Sequence, residues 1–446
     1  MILSARYEHD TQALAKRVHW KVSWRILPLL CLLYMVAYLD RVNVAFAKLR
    51  MRDDLHFSEE VFGWGFGLFF VGYLFLEIPG AMIVEHISAR KWFARILITW
   101  GICSMAMSLV RTPIEFYIAR FLLGLAEAGF FPGVIVYFTH WFPRKDRARA
   151  LSRMLIGIPI CYALGSPVSG LLMEQSWFGL SGWQLVFLVE GAPAVLLGVA
   201  VLWWITDRPR QAKWLKPEER EWLETTLHAE REEAIAKTGR IDLNQALKLK
   251  AVWLLAFGIF FTNIGGYAFG FWMPTAVKGL LSTTGEDSRT TSVLVWTGFV
   301  YVCGLPGVLS SGWLADRIGH HKWLCFSGQM GFASFLALST LPGQSWPQVF
   351  VWLCLAGFCS CFWFTPFWVL PTLSLTSSVA AVSIGFINMS ANLGGAVGSP
   401  VFGLMKDAGF DDRACLLFLA VCIAIGGVFV AAISVPKRTP EPEEKR

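Results

Sequence analysis

Residues 165–170 read Gly-Ser-Pro-Val-Ser-Gly, and residues 398–403 read Gly-Ser-Pro-Val-Phe-Gly, an offset of 233. Two more landmarks repeat at nearly the same interval. Phe130-Phe131-Pro132 answers to Phe364-Thr365-Pro366 (offset 234), and Glu85-His86-Ile87-Ser88-Ala89-Arg90-Lys91 to Asp316-Arg317-Ile318-Gly319-His320-His321-Lys322 (offset 231). Three landmarks at one spacing indicate a duplicated unit whose copies share one orientation.

The repeated unit is apolar. Of 446 residues, 55% are hydrophobic and 16% charged, against roughly 25% charged in a soluble domain; the mean hydropathy is +0.52. A hydrocarbon core of about 30 Å needs around 20 helical residues. Runs of that length fall near 24–47, 61–84, 92–110, 114–140, 151–173, 183–205, 251–275, 291–311, 323–341, 347–373, 378–405 and 414–435. The expected fold is an all-α membrane protein of twelve transmembrane helices in two pseudo-symmetric six-helix bundles. Residues 1–205 would form the first bundle, 206–250 a linker with short helices, and 251–446 the second bundle with a short tail. Within the linker, Pro217-Glu218-Glu219 reads as a helix start and Asp242 to Gln245 as a capping box.

Of the 39 Lys and Arg, 27 lie on the side of the termini and linker, eight in the opposite loops and four (Arg25, Arg41, Arg95, Arg120) in or at the spans. The positive-inside rule then places both termini in the cytoplasm of a cell (inner) membrane protein. The net charge of +7 is accordingly a topology signal, not a nucleic-acid footprint. The first twenty residues show neither an apolar core nor a cleavage site, so no signal peptide is expected. The ten cysteines form no CxxC pair and read as small apolar fillers, and the eight histidines fall in tails, loops or helix ends. No metal site, nucleotide-binding loop or nucleophile arrangement points to an enzyme, and intramembrane proton chemistry is left to carboxylates.

A charge at mid-bilayer costs about 2.5–3.5 kcal/mol on insertion scales, so each one invites a functional reading. Arg120 and Glu127 share one face of span 4, about 10 Å apart along the axis. Either they form a structural ion pair, or Arg120 grips a substrate carboxylate while Glu127 carries a proton, the anion loosening the hold of Arg120 on Glu127. Asp40 and Arg41 are adjacent in span 1 and point about 100° apart, toward different partners. Glu77 and Glu190 suit structural pairing, and Arg25 and Arg95 can snorkel. Tyr38 and Tyr73 offer hydroxyls; Asn388 and Asn392, one turn apart, are either substrate contacts or interhelical glue. Adding 234 to 120 and 127 gives Cys354 and Cys361, so the second half lacks both charges. The glycine pairs 63/67, 129/133 and 394/398 suit close helix crossings.

Gly312-Trp313-Leu314-Ala315-Asp316-Arg317-Ile318-Gly319 followed by His320, His321 and Lys322 resembles the loop signature of the major facilitator superfamily. The copy after span 2 departs from it at Glu85, His86 and Ser88. Tyr38-Leu39-Asp40-Arg41-Val42-Asn43, Ala119-Arg120-Phe121 with Glu127-Ala128-Gly129, and Trp141-Phe142-Pro143-Arg144 resemble one branch, the anion:cation symporters, which includes tartrate-, phthalate- and sugar-acid-type carriers. The resemblance implies a secondary transporter importing a small organic anion with protons by alternating access, driven by the proton gradient without a cofactor. In that reading Arg120, Arg41, Tyr38, Tyr73, Asn388 and Asn392 bind substrate and Glu127 and Asp40 couple protons. Asp316, Arg317, Glu85 and Arg90 form gating loops. The partners are the organic anion, protons and the lipid bilayer, with no nucleic acid, and a monomer is expected. The alternative is an exporter or exchanger, since the span 5 string ending in Gly165-Ser166-Pro167 is similar to an antiporter motif; a non-transport membrane protein is the remaining option.

Overall fold

The computed structural model describes residues 2–238, 247–284, 289–374 and 377–434, in which every regular element is a helix. The capping box at 242–245 lies outside the described residues. Helix α1 (Ile2–Leu55) is followed by α2 (Glu59–His86), α3 (Ala89–Ala106), α4 (Pro113–Glu127), α5 (Phe130–Thr139), α6 (Arg144–Leu155), α7 (Gly157–Met173) and α8 (Gly182–Trp204). The linker helix α9 (Pro217–Thr238) starts at the expected proline. It leads to α10 (Lys250–Thr284), α11 (Thr290–Val302), α12 (Gly304–Ile318), α13 (His321–Leu338), α14 (Trp346–Phe362), α15 (Phe364–Ser374), α16 (Ser377–Asp407) and α17 (Asp412–Ala431).

These helices make the twelve expected spans, with two corrections to their outlines. Span 1 continues past residue 47 to Leu55, so Lys48, one of the eight Lys and Arg counted in the opposite loops, is helical and 1% exposed. Spans 4, 5, 8 and 10, read as continuous, are each two helices. The breaks precede Pro132, Pro159, Pro306 and Pro366 by three residues. Proline lacks an N–H and its ring crowds the carbonyl four residues back, and the preceding segments end at Leu155, Val302 and Phe362, each four residues before its proline. In span 4 the break is sharper: Ala128 leaves the helix and Gly129 takes φ 83°, a left-handed conformation that glycine adopts without strain. Glu127 is thereby the last residue of α4.

Among the described residues, ten stretches are long and apolar enough to cross a membrane on composition alone. The remaining two expected spans fall on α13, which opens with His321 and Lys322 and carries Gln329, and on α16, rich in Gly, Ser and Asn. Both lean on protein neighbours: Gln329 donates to Thr262 Oγ1 (2.8 Å) and Gly398 packs on the backbone of Ile264 in α10.

On the side remote from the linker the bundles meet. A Cβ on Gly63 would come within 2.7 Å of the Ser399 carbonyl oxygen and 3.2 Å of Pro400 Cα, so of the glycine pairs noted above, Gly63/Gly67 makes the close α2–α16 crossing between bundles. Asp407, ending α16, accepts from the Glu59 and Glu60 N–H groups at 3.2 and 2.7 Å, capping the exposed amides of α2 across the interface. Lys48 Nζ reaches Glu59 at 2.5 Å and lies 3.0 Å from the ring centre of Trp272 in the other half. Between α7 and α11, Ser166 Oγ donates to the Leu294 carbonyl (2.6 Å) and Thr291 Oγ1 to that of Gly170 (2.9 Å).

Candidate functional site

Toward the linker side the bundles part around a cavity of about 250 Å³. Its middle is walled by tyrosines from both halves: Tyr38 and Tyr162 face Tyr267 and Tyr301, with ring centres 6.3 Å apart for Tyr38–Tyr162 and 4.7 Å for Tyr162–Tyr301. Asn263, Ser360 and Thr365 add polar groups, and Leu151 and Trp368 mark its reach toward the linker. Sequence reading missed Tyr162, Tyr267, Tyr301 and Asn263. A signal existed, because the chain has only nine tyrosines and these three lie mid-span.

The intramembrane charges lie behind Tyr38. Arg41 donates from Nε to Glu127 Oε1 (2.6 Å) and its Nη2 lies 2.5 Å from the same oxygen, while Oε2 has no hydrogen-bond partner among the described residues. Its guanidinium sits 5.0 Å from the ring centres of both Tyr38 and Tyr73. Arg41 is 9% exposed and Glu127 0%. Asp40 turns the other way, as the 100° offset requires, and accepts from Ser104 Oγ (2.6 Å), Asn43 Nδ2 (3.1 Å) and Trp100 Nε1.

Arg120 departs from expectation. It does not pair with Glu127 and does not line the cavity; it is wholly buried, donates from Nε to the Gly65 carbonyl (3.2 Å) and packs 4.9 Å from the Phe69 ring. Its two terminal nitrogens have no hydrogen-bond partner among the described residues. The cause is reach: about 10 Å along the axis exceeds one ion pair, so Glu127 takes its cation from α1. Asn388 and Asn392 resolve toward glue. Both donate to Glu77, Asn392 at 3.3 Å, tying α16 to α2, and neither lines the cavity. Tyr73 likewise backs Arg41 outside the cavity wall. Of the expected substrate contacts, Tyr38 alone lines the cavity.

Of the expected gating residues, Arg90 donates its backbone N–H to Asp207 (2.8 Å), which also takes Ser88 Oγ (2.9 Å), tying the loop after α2 to the end of α8. Arg317 is exposed and stacks 5.2 Å from the Trp313 ring centre. The side chains of Glu85 and Asp316 lie outside the described residues. No cluster of His, Cys, Asp and Glu among the described residues could hold a metal.

A helical membrane chain with a two-fold internal repeat, a central cavity between its halves and buried charge beside that cavity has the plan of a secondary carrier. The family model described as Major Facilitator Superfamily matches residues 30–399. The chain belongs to that superfamily. Among its relatives, an Agrobacterium vitis protein provisionally named a tartrate transporter is 40% identical over 94% of this chain and 95% of its own length. A quinolone resistance transporter of Acinetobacter baumannii is 36% identical over 91% of this chain and 92% of its own. Among solved structures, a D-xylose-proton symporter superposes with a TM-score of 0.72 at 17% identity, covering 93% of this chain and 98% of that one, which supports the fold. This major facilitator protein is thus a multi-pass membrane transporter, not an enzyme, and resembles tartrate carriers.

Proposed function

We propose that the protein imports a small hydroxylated carboxylate together with protons, with both termini and the linker in the cytoplasm. The observation that carries this reading is the Arg41–Glu127 pair set directly behind Tyr38, a wall of the cavity shared by both halves. The Arg41 guanidinium is a forked anion receptor whose donors already hold an internal carboxylate through one oxygen. A substrate carboxylate reaching Arg41 competes with Glu127 for those donors. Released from its cation in a buried setting, the Glu127 carboxylate takes up a proton, so anion and proton load together. Tyrosine hydroxyls and Asn263 in the wall suit the hydroxyl groups of a sugar acid or a tartrate-like dicarboxylate. The name of the Agrobacterium relative supports the same substrate class. Orientation rests on the excess of Lys and Arg on the linker side, and the conformation would then be inward-facing. The bundles, with boundaries at 205 and 251, would rock about the tyrosine layer.

A second reading, export or exchange of aromatic anions, draws on the aromatic cavity wall and on the Acinetobacter relative named for quinolone resistance. One experiment separates them. Purified protein is screened by thermal shift against sugar acids, dicarboxylates and aromatic acids, since a ligand of the native state raises its stability. Hits are then tested for uptake into proteoliposomes under an inward proton gradient. Accumulation of a hydroxy acid supports import; binding of aromatic acids alone, with no gradient-driven uptake, supports the second reading.

A further inference from the structure

Among the described residues, five acids are buried in the first bundle or at its contact with the second, and four of them have a cation or at least two donors to hold a negative charge. Asp40 receives three hydrogen bonds and Glu77 two amides, Glu127 holds the Arg41 guanidinium on Oε1 although its Oε2 has no partner, and Glu59 holds Lys48 and Arg52. Glu190, in α8 and 3% exposed, is different. Its one polar neighbour among the described residues is the hydroxyl of Ser169 in α7, with Oε1 2.5 Å from Ser169 Oγ, and its Oε2 has no partner. The titratable groups acting on it across the bundle are Asp40 of α1 and Cys161 of α7; no described cation pairs with it.

Proton accounting sharpens the contrast. Ser169 Oγ is also 2.8 Å from the Gly165 carbonyl. Two contacts of hydrogen-bond length need two protons, and the hydroxyl has one. The chain closes when the carboxyl supplies the other: Glu190 O–H donates to Ser169 Oγ, and Ser169 O–H donates to the Gly165 carbonyl. An ionised Glu190 would be a charge inside a membrane bundle with one donor and no counter-ion, and such groups neutralise instead.

We propose that Glu190 is a resident proton-binding site, a neutral carboxylic acid that pins α7 to α8 through Ser169 and keeps its proton through the transport cycle. The position gives the pin a purpose. On α7, Ser166 and Gly170 flank Ser169 and make the hydrogen bonds to α11 that join the halves. Ser169 steadies the same turn of helix from within the bundle, so α7 can move with α8 as one body when the halves separate.

The test is infrared difference spectroscopy on the purified full-length protein and on Glu190→Gln and Ser169→Ala at neutral pH. Glu190→Gln should lose one protonated-carboxyl C=O band present in the parent. Ser169→Ala should keep that band and shift it to higher wavenumber, because the acid has lost its acceptor. Identical protonated-carboxyl bands in the parent and Glu190→Gln would overturn the proposal. The second readout is uptake in proteoliposomes: Glu190→Gln, neutral and nearly isosteric, should accumulate substrate within about twofold of the parent. Loss of accumulation with counterflow retained would make Glu190 a carrier of translocated protons and overturn its resident role. The infrared arm does not depend on proton-driven import, so its result stands whether or not that reading survives.

Discussion

The two halves share a backbone plan but not a chemistry. Span 4 breaks at Gly129 and span 10 at Trp363, 234 residues on, each three residues before a proline. In the first half the break follows Glu127 and needs a left-handed glycine; in the second, Trp363 stays near helical geometry with φ −73°. Where the first half buries Arg120 and Glu127, the second has Cys354 and Cys361, and its buried polar side chains include Gln329 hydrogen-bonded to Thr262. Proline-interrupted helices are therefore the inherited scaffold, and charge was placed on, or kept by, one copy. The first half sets the Arg41–Glu127 pair behind Tyr38 of its cavity wall, while the second presents Tyr267, Tyr301 and Asn263.

The sharpest way to break this comparison is to blunt the charge behind Tyr38. Arg41→Lys keeps the charge but loses the fork that holds Glu127. Hydrogen bonds to charged groups contribute about 1.5–3 kcal/mol, so substrate affinity should fall roughly 10- to 100-fold; calorimetric titration measures it. Affinity unchanged in Arg41→Lys would remove Arg41 from the binding site and return Arg120, buried with free donors, to consideration.

A next step separates charge from coupling. Glu127→Gln imitates the protonated acid, so counterflow should persist while accumulation under a proton gradient falls at least tenfold. Asp40→Asn belongs in the same assay, since Asp40 is the second acid expected to couple protons. If Glu127→Gln accumulates substrate as the parent does, Glu127 is not the carrier.

What was legible in the sequence follows from how local each signal is. Span periodicity, the repeat offset and the divergent directions of Asp40 and Arg41 depend on helix geometry alone, and the structure agrees with them. The partner of Glu127 was not legible, because it is set by how α1 lies against α4. Mid-span position could have flagged Tyr162, Tyr267 and Tyr301 one by one, but their meeting in one layer, like the Glu77–Asn388–Asn392 tie, is assembled from helices far apart in the chain. Lys48 was misplaced because an apolar run ends before its helix does.

The close crossing on the remote side offers a smaller test of the shared scaffold. Gly63→Leu drives a side chain into the Ser399 carbonyl and Pro400, and overpacking costs about 1–3 kcal/mol. The closed remote face should become less populated, by roughly 5- to 100-fold at that cost. Spin labels at positions 53 and 411, in a background without native cysteines, report it as longer distances. An unchanged distance distribution would show that the crossing tolerates bulk and does not set the conformational balance.

The smallest expected effect concerns the linker, which is moored to the first half. Glu219 in α9 accepts from Lys21 Nζ at 2.8 and 2.9 Å and from the Lys216 N–H at 3.0 Å, and its carboxylate lies 3.1 Å from Arg17. Burial works to raise its pKa, but the donors and charges of Lys21, Lys216 and Arg17 outweigh it, and the carboxyl titrates below the ordinary glutamate value. An acid depressed in the folded state contributes stability that is fully present above its unfolded pKa and is lost as pH falls through the folded one. Thermal stability of the parent should therefore decline as pH drops below the ordinary carboxylate range, and the decline should be shallower in Glu219→Gln, which lacks the titrating group. At neutral pH the variant should be modestly less stable, because its partners Lys21 and Arg17 reach toward solvent, where screening limits such pairs to about 1 kcal/mol or less. Melting curves from pH 2 to 7 for the two proteins decide it. Parallel curves across that range would mean that the mooring of α9 to α1 does not depend on the charge of Glu219.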